Sequence, residues 1–363
     1  MKTDAERATT GAVTRGLEHP TMRQEKTLLV GDIGGTNARL ALVSRSSGAA
    51  RPLRHATMPS ARYSGAEELI TDFLREAPTR IDAIVLAVAG PVVQGRAALS
   101  NLGWVVEERA LRDAVGVADV HLLNDLVALA TAIPHLGPGA IRTLQPGVRE
   151  RGGAIAVVAP GTGLGESFLT WDGVRYQPHP SEGGHADFAP ADDLQMELLA
   201  WMRPRVDHVS FERVCSGRAL PDLYDFLLQR NGGVAPRPAD EAASGANRTP
   251  AIVRAAFEDL EPCARSRAAV DLFVGILAAE AGNAAIRVMA TGGVYLAGGM
   301  PRRILGALAS TGVLERFRRK GRLAPVLERI PLHVVTQPNV ALLGAAHHAI
   351  SLADSAAVAR ASS

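Results

Sequence analysis

The stretch VGDIGGTNARLALV, from Val30 to Val43, predicts two short apolar strands joined by a tight turn. The predicted turn is Gly34-Gly35-Thr36-Asn37. Two adjacent glycines let the backbone approach a ligand and direct its N–H groups outward, which favours an anion such as phosphate. A carboxylate beside phosphate needs a cation between them, and Asp32 stands just before the turn. The stretch therefore predicts a phosphate-binding turn with Mg²⁺ near Asp32, against the alternative of an ordinary glycine-rich hairpin.

The overall composition disfavours several classes of protein. The 363 residues suffice for about two domains. A net charge of +2 with 21% charged residues gives no reason to expect nucleic acid or a membrane surface as a partner, and no apolar run approaches the roughly 20 residues of a membrane span. The basic run from Glu315 to Arg322 predicts a solvated helix end. Only Cys215 and Cys263 are present, which predicts a reducing, cytoplasmic location without a disulfide scaffold.

A second candidate site lies where a predicted strand ends. Val120 to Leu123 is a short apolar strand, and Asn124 and Asp125 follow it directly. Ligands of open α/β sheets bind beyond the carboxyl ends of the strands, which favours chemistry at this position. Asp125 has two interpretations. It is either the N-cap of a helix that begins at Leu126, or an ionised base that takes a proton from an attacking hydroxyl while Asn124 holds a neighbouring one.

The second half of the chain repeats the pattern of strand, glycine-rich turn and strand. Ala154 to Val158 is an apolar strand, followed by PGTGLGE at Pro160 to Glu166 and then by another strand. The G-x-G-x-G spacing does not match the dinucleotide-binding G-x-G-x-x-G, and no lysine is placed for a Walker A loop. Two such units, about 130 residues apart, predict that two halves grip the phosphates of one nucleotide. The glycines and prolines of Ile133 to Ala140 predict the crossover between them.

Polar residues further along predict sugar recognition. Glu182 and His185 flank Gly183 and Gly184 in a predicted turn, and Glu212 stands near the start of a predicted helix. Carboxylates and imidazole can hold vicinal hydroxyl groups at fixed geometry. The alternatives are an ordinary surface loop, a helix start that favours an acid, and a metal site, for which no third ligand has a useful spacing.

Taken in order, these segments resemble the bacterial glucokinases, which belong to the actin-like sugar kinase ATPase superfamily. The resemblance extends from about Leu28 to Gly344-Ala346 and rests on GDIGGTNARLAL, AGPV, SNLGW, LLNDLVALA, APGTGLGE, SEGGHADFAP, HVSFERVCSG and GGVYLAGGM. It implies an α/β fold with two actin-like (ribonuclease H-like) domains, each with a mixed sheet flanked by helices, and a cleft between them. It also implies ATP and Mg²⁺ as cofactors, a hexose as the small-molecule substrate, and a homodimer.

The resemblance also implies a role for individual residues. The first phosphate turn would comprise Gly31, Asp32, Ile33, Gly34, Gly35 and Thr36, with Asp32 near Mg²⁺ and bound to it through water. The second would comprise Gly161, Thr162, Gly163 and Gly165, and adenosine would lie against Gly292, Gly293, Gly298 and Gly299. The sugar would be held by Asn101, Asn124, Asp125, Glu182, His185 and Glu212. Asp125 would be the base that activates the 6-hydroxyl.

The segments also predict the domain limits and the activity. Residues 1–26 are predicted to be a disordered tail, residues 27–135 a small domain, and residues 136–339 a large domain, with a helix at 340–356 packing back on the small one. The expected activity is ATP-dependent phosphorylation of glucose. The alternatives are a kinase for another hexose such as fructose or mannose, a sugar-sensing protein without turnover, and polyphosphate as the donor.

Overall fold

A computed structural model describes residues 26–46, 49–76, 80–99, 101–232, 248–257, 263–309 and 311–361. The predicted N-terminal tail lies outside these ranges except for Lys26. The strands are β1 Lys26–Ile33, β2 Asn37–Ser46, β3 Ala49–Pro59, β4 Ala83–Val88, β5 Val92–Val93, β6 Arg96–Leu99, β7 Trp104–Glu107, β8 Val120–Asn124, β9 Ile141–Gln145, β10 Ile155–Pro160, β11 Leu164–Trp171, β12 Tyr176–Ser181, β13 Gly293–Leu296 and β14 Leu332–Val335. The α-helices are α1 Ala66–Arg75, α2 Glu108–Val115, α3 Asp125–Ala132, α4 Asp193–Met202, α5 Phe211–Val214, α6 Leu220–Arg230, α7 Arg248–Phe257, α8 Ala264–Arg287, α9 Gly299–Arg303, α10 Leu305–Leu308, α11 Thr311–Arg318, α12 Ala324–Arg329 and α13 Val340–Ala361.

The first sheet combines a hairpin meander with parallel strands. Its order is β3-β2-β1-β4-β8, with β1, β4 and β8 parallel and β2 antiparallel to both β1 and β3. All six residues of β4, AIVLAV, are buried, as expected for a central parallel strand covered on both faces. Because parallel strands end at the same edge, Asp32 near the end of β1 lies on the same side of the sheet as Asp125 after β8.

The second sheet repeats this arrangement. Its order is β12-β11-β10-β13-β14-β9, with β10, β13 and β14 parallel and the β10–β11–β12 meander antiparallel. A small sheet, β5-β6-β7, is inserted between β4 and α2. The prediction of an α/β fold with two mixed sheets, each opened by a strand, glycine turn and strand, is confirmed.

The hydrophobic cores lie between the sheets and their helices. Leu69, Ile70 and Phe73 of α1 and Leu111 of α2 are buried against the first sheet. The long helix α8 lies at the centre of the second core. It is long and apolar enough to cross a membrane by length and composition, which was not expected, but 78% of its apolar window is buried inside the protein. Its apolar character is therefore explained by core packing.

Two helices cross between the sheets. α3 follows β8 of the first sheet but packs on the second, where Ala130 and Ala132 are buried in one cluster with Val157. α13 follows β14 of the second sheet but packs on the first, where Ala345 meets Val30. Each sheet is therefore covered by a helix connected to the other. The predicted boundary at residue 135 assigns α3 to the small domain, and that domain division stays a prediction.

The basic run at the end of α11 is only partly solvated, because Arg319 and Arg322 are exposed as predicted but three of its cations bond to other parts of the protein. Arg316 donates a hydrogen bond to Asp192 at 3.1 Å, and Arg318 donates to Gln145 at 2.6 Å. Lys320 donates to the carbonyl of Ala279 on α8 at 2.9 Å. The three cations attach α11 and the following turn to the rest of the second half, a role that the charge pattern alone did not reveal.

Candidate active site

A cavity of about 990 Å³ opens where the parallel strands of both sheets end. Asp32 and Thr36 line it from the first sheet, and Gly161 and Thr162 line it from the turn between β10 and β11. Gly298 and Gly299 contribute from the segment after β13. The two predicted turns therefore face one common space, as gripping a single nucleotide requires.

The first turn is a tight hairpin whose residues differ in role. The Gly34 N–H donates to the carbonyl of Asn37 at 3.1 Å and is therefore used within the turn. Gly31 and Ile33 are buried in β1 between β2 and β4, so neither lines the cavity. This corrects the expectation that the whole run from Gly31 to Thr36 touches phosphate. Asp32 and Thr36 are the residues of this run that line the cavity.

The second turn has open space at one glycine and close contacts at two others. A methyl group on Gly161 would meet no atom within 4 Å, so this position can accept a ligand. A methyl group on Gly163 would overlap the carboxylate of Glu212, which accepts a hydrogen bond from the Leu164 N–H at 2.8 Å. Gly165 packs against Leu126 of α3 and does not line the cavity. Glu212 thus supports the shape of the turn.

Of the two glycine pairs predicted to meet adenosine, the structure places only one in the cavity. Gly298 has φ 84° and a methyl group there would lie 2.7 Å from the carbonyl of Pro160, so glycine is required for the close approach of the two strand ends. Gly292 and Gly293 stand at the start of β13, where Gly292 donates to Ala154. They lie at the opposite edge of the sheet, and their assignment to adenosine is wrong.

Asp125 is the first residue of α3 and is partly buried beside other acids. Burial, together with the negative charges of Asp32 and Glu182, raises the pKa of Asp125 to about 6 against the opposing hydrogen bond from the Leu126 N–H. Asp32 belongs to the first sheet and Glu182 follows the last strand of the second meander. Asp125 therefore lies within electrostatic reach of both halves, which is the position expected for a base acting in the cleft.

Asn124, and not Asp125, is the N-cap of α3. Its Oδ1 accepts hydrogen bonds from the N–H groups of Leu126 at 2.9 Å and Val127 at 3.2 Å. Its Nδ2 donates to the carbonyl of Gly90 at 3.1 Å. This corrects the capping role offered for Asp125. A contact between Asn124 and the sugar stays a prediction, with one amide N–H left to make it.

The pKa of Asp125 predicts how activity depends on pH. A base with a pKa of about 6 is protonated below that pH, so kcat/KM for the acceptor should fall about tenfold per pH unit below pH 6 and level off above it. A pH–rate profile from pH 4.5 to 8 measures this limb. Glu182→Gln removes a negative charge that raises the pKa, and should move the limb to lower pH. A profile that stays flat down to pH 4.5 in the wild-type protein would contradict the assignment.

The remaining predicted sugar residues do not line the 990 Å³ cavity, but two of them lie near residues of the candidate site: Glu182 acts electrostatically on Asp125, and Asn101 contacts Arg218. Glu182 and His185 are exposed, at 74% and 59% of their side-chain surfaces, and their Oε2 and Nε2 atoms are 3.9 Å apart. Asn101 is exposed and packs against Gly35 of the first turn. Exposed polar groups on two sides of a cleft are free to meet hydroxyl groups. Their contact with sugar stays a prediction.

A pair of buried acids lies beneath the loop that carries Glu182 and His185. Glu166 is 5% exposed and Glu280 is fully buried, while a methyl group on Gly183 would overlap the Glu166 carboxylate. Arg287 approaches both acids, at 3.6 Å from Glu166 and 2.5 Å from Glu280. Burial raises the pKa of Glu166 to about 8, helped by the charge of Glu280. Among the described residues Glu166 Oε1 has no hydrogen-bond partner, and a buried unpaired oxygen costs less on a neutral carboxyl than on a carboxylate.

This pair predicts a loss of stability with rising pH. The folded protein keeps a proton on Glu166 that the unfolded chain releases near its ordinary value of 4.5, so the stability contribution is fully present below that pH and is lost as pH rises toward 8. Glu166→Gln removes the ionisation. We therefore expect its Tm to exceed the wild-type value increasingly between pH 6 and pH 9, by about 2 °C or more at the upper end.

Thermal unfolding of the two proteins across this pH range makes the comparison. Glu328→Gln, at an exposed acid, is the matched control and should follow the wild-type curve. A Glu166→Gln protein whose Tm difference is the same at pH 6 and pH 9 would show that Glu166 is already ionised when folded.

Several cavity residues were not predicted from the sequence. The described part of the lining includes a set of arginines, namely Arg39, Arg218, Arg248, Arg302 and Arg303. Arg39 contacts Asp32 at 3.3 Å, and it lies directly opposite Asp32 in the hairpin. The register of the predicted turn could have identified Arg39. The others come together only through the tertiary fold.

A magnesium ion fits the site only as a partner of bound phosphates. Among the described residues there is no group of three or more His, Cys, Asp or Glu that could form a metal cage. Mg²⁺ commonly uses one or two carboxylates together with substrate phosphates and water. Asp32 lines the cavity and supplies one such carboxylate. The donor set is therefore compatible with Mg²⁺ brought in with a nucleotide.

Comparisons with known proteins agree with this geometry. A family model described as Glucokinase matches residues 29–352. Glucokinase from Caulobacter vibrioides is 38% identical over 322 residues, which cover 88% of this chain and 93% of that protein. The crystal structure of a glucokinase from an Antarctic psychrotroph has a TM-score of 0.75 at 31% identity, covering 89% of this chain and 98% of that one. A ROK family glucokinase from Streptomyces griseus, solved with glucose and AMPPNP, shares the fold with a TM-score of 0.57 at 19% identity, covering 88% and 97% of the two chains.

The repeated sheets and the cavity between their glycine turns define a two-lobed sugar kinase with the actin-like ATPase fold. The family match covers nearly all of the described chain, and the Caulobacter relative is matched over almost its whole length. The chain belongs to the glucokinase family. The resemblance seen in the sequence is thereby confirmed.

Proposed function

We propose that this chain transfers the γ-phosphoryl group of ATP to the 6-hydroxyl of glucose, with Asp125 as the general base. The observation that carries the proposal is the position of Asp125 at the end of β8, within electrostatic reach of Asp32 and Glu182 from opposite sides of the cleft. Family membership supports glucose and ATP, and one neighbour of the same fold was solved with glucose and AMPPNP.

The reaction requires a base for the hydroxyl proton and positive charge to stabilise the transferred phosphoryl group. The glucose O6 forms a bond to the γ-phosphorus, the bond from phosphorus to the bridging oxygen of ADP breaks, and the proton of the hydroxyl passes to Asp125. At pH 7 Asp125 is mostly ionised, because its pKa is about 6. The loose transition state leaves the protein with positioning and charge stabilisation as its main tasks. The side chain of Thr36 would donate to the phosphates, and the open space at Gly161 would let them approach the second turn, where the Gly161 N–H itself donates to the carbonyl of Gly163 at 2.8 Å.

The other residues have supporting roles in this proposal. Glu182, His185, Glu212 and Asn101 would hold the sugar hydroxyls, and closure of the cleft would exclude competing water. Asp32 would hold Mg²⁺ through water, and Mg²⁺ when bound would neutralise charge on the phosphates. The Asp32 carboxylate also pairs with Arg39, which keeps it oriented at the edge of the cavity.

A coupled ADP-release assay over a panel of sugars tests the proposal. Purified protein with ATP should release ADP rapidly with glucose and much more slowly with fructose or mannose. Running inorganic polyphosphate in parallel as the donor, with glucose 6-phosphate as the readout, decides between the two donors. If fructose or mannose is turned over as fast as glucose or faster, glucose is not the preferred substrate. Glucose binding without any turnover would leave the sugar-sensing alternative.

Family membership and the cysteines support a proposal for location and assembly. Cys215 is buried and neither cysteine forms a disulfide in the described residues, as suits a reducing cytoplasm, where we place the protein. We also infer a homodimer. Size-exclusion chromatography with light scattering measures the mass, and a single-chain mass at micromolar concentration would overturn that inference.

A further inference from the structure

Arg218 is attached through its backbone to the second glycine turn. The Gly217 N–H donates to the carbonyl of Gly161 at 2.8 Å, and the Arg218 N–H donates to the carbonyl of Thr162 at 3.4 Å. A methyl group on Gly217 would lie 2.7 Å from the Gly161 oxygen, so glycine allows this close approach. These bonds therefore hold the backbone of Arg218 beside the turn that we assign to phosphate.

The side chain of Arg218 crosses toward the first glycine turn. Its Nη2 lies 3.4 Å from Oδ1 of Asn101, and the Cβ of Asn101 packs against Gly35. Arg218 also lines the cavity. Its guanidinium group consequently lies between the two turns, where the end of a nucleotide's phosphate chain would be held.

Arg218 differs in its partners from two of the other cationic side chains of the cavity. Arg39 pairs with Asp32, and Arg248 makes two hydrogen bonds of 2.6 and 2.7 Å to Asp225. In the part of the chain that the structure describes, Arg218 contacts no carboxylate, and its bond to Asn101 is long and engages a neutral amide. A guanidinium group presents five donors in a planar fork, so most of its donors remain to meet an anion. Arg302 and Arg303 line the cavity from α9, and in the described residues neither contacts a carboxylate; Arg218 is distinguished from them by its backbone bond to the second glycine turn and by its contact with Asn101.

We infer that Arg218 is a catalytic residue that binds the phosphoryl group during its transfer, an inference that rests on the proposed function. In the transition state, negative charge spreads over three equatorial oxygens, and a guanidinium fork matches two of them. Lysine is absent from both glycine turns, so Arg218 supplies the mobile cation that such turns lack. The bonds made and broken are those of the proposed transfer, and the proton still passes to Asp125.

A competing role for Arg218 is purely structural: its contact with Asn101 could hold the two halves together, a role that we call a latch. The two roles predict different results. A latch is lost equally when either partner is removed, whereas phosphoryl binding is lost only with Arg218. A latch is also indifferent to whether the donor site holds a phosphoryl group or is occupied by ADP alone.

The experiment compares Arg218→Ala, Arg218→Lys and Asn101→Ala with the wild-type protein. With saturating ATP and glucose, Arg218→Ala should lose about 10²-fold in kcat and Arg218→Lys less. Asn101→Ala, whose proposed contact is with the sugar, should raise the KM for glucose and lose less than about 10-fold in kcat. Added guanidinium chloride at millimolar concentration should restore part of the activity of Arg218→Ala. Arg75→Ala, at an exposed arginine of α1, is the matched surface control. Equal losses in Arg218→Ala and Asn101→Ala without rescue would establish the latch and overturn the inference.

A binding measurement keeps this test separate from that of the proposed function. In the presence of glucose, calorimetric titration with ADP plus aluminium fluoride, a mimic of the group in transfer, should be weakened about 10²-fold by Arg218→Ala. Titration with ADP alone should change by less than about 3-fold. Equal weakening of both would overturn the role of Arg218. A wild-type protein without glucose-dependent ADP release would instead refute the proposed activity, whatever the titrations show.

Discussion

Asp125→Asn is expected to lower kcat by about 10²- to 10⁴-fold while leaving the protein folded, because general bases contribute this much. The amide has nearly the same shape and can still accept the hydrogen bond that Asp125 takes from the Leu126 N–H at 2.9 Å. It cannot accept the proton of the 6-hydroxyl. Since the negative charge of Asp32 raises the pKa of Asp125, removing one charge relieves repulsion, and we expect no loss of thermal stability at pH 8.

The measurement separates catalysis from binding. kcat comes from coupled ADP release, and the affinity for glucose from calorimetry, where we expect a change of less than about 10-fold. Asp113→Asn, at an exposed position of α2, is the matched control and should keep wild-type rates. An Asp125→Asn protein with more than a tenth of wild-type kcat would remove Asp125 from the mechanism.

Gly344→Ala is expected to give the largest loss of stability of any substitution considered for this chain. Gly344 lies on α13, and a methyl group there would overlap the backbone carbonyl of Ala128 on α3. A backbone atom cannot turn aside as a side chain can, so the two crossing helices must separate. We expect the free energy of unfolding to fall by about 3 kcal/mol, the upper end of the usual range for overpacking.

Urea denaturation measures this change, and Gly306→Ala is its matched control. Gly306 lies in the helix α10, and a methyl group there meets no atom within 4 Å. Alanine is the better helix former by up to about 1 kcal/mol, so this control should be neutral or stabilising. A Gly344→Ala protein as stable as the control would mean that α3 and α13 are not in the close contact described.

The crossing helices also indicate how the cleft could close. α3 begins at Asp125 and packs on the second sheet, and α13 packs on the first. Any rotation of one half against the other must therefore act at the contact between these two helices. The Gly344 substitution would disturb catalysis as well as stability, because Asp125 is the first residue of one of them.

Local patterns predicted the elements well and their partners poorly. The two glycine turns, the buried strand β4 and the acid after β8 were identified from periodicity and turn chemistry, which depend on neighbours in the chain. The glycine pair at Gly292 was placed wrongly, because a Gly-Gly pair has the same local appearance at either end of a short strand. The direction of β13 in the sheet decides which end faces the cleft.

The sequence by itself determined the α/β class, the repeated strand, turn and strand units, and Asp125 as the candidate base. Only the tertiary structure decided that Asn124 caps α3, that α3 and α13 exchange sheets, and that Arg218 reaches across to Asn101. The physical reason is the distance along the chain over which each interaction acts. Turn conformation and amphipathic spacing are set within a few residues, whereas a contact over 117 positions is set by how whole sheets and helices pack.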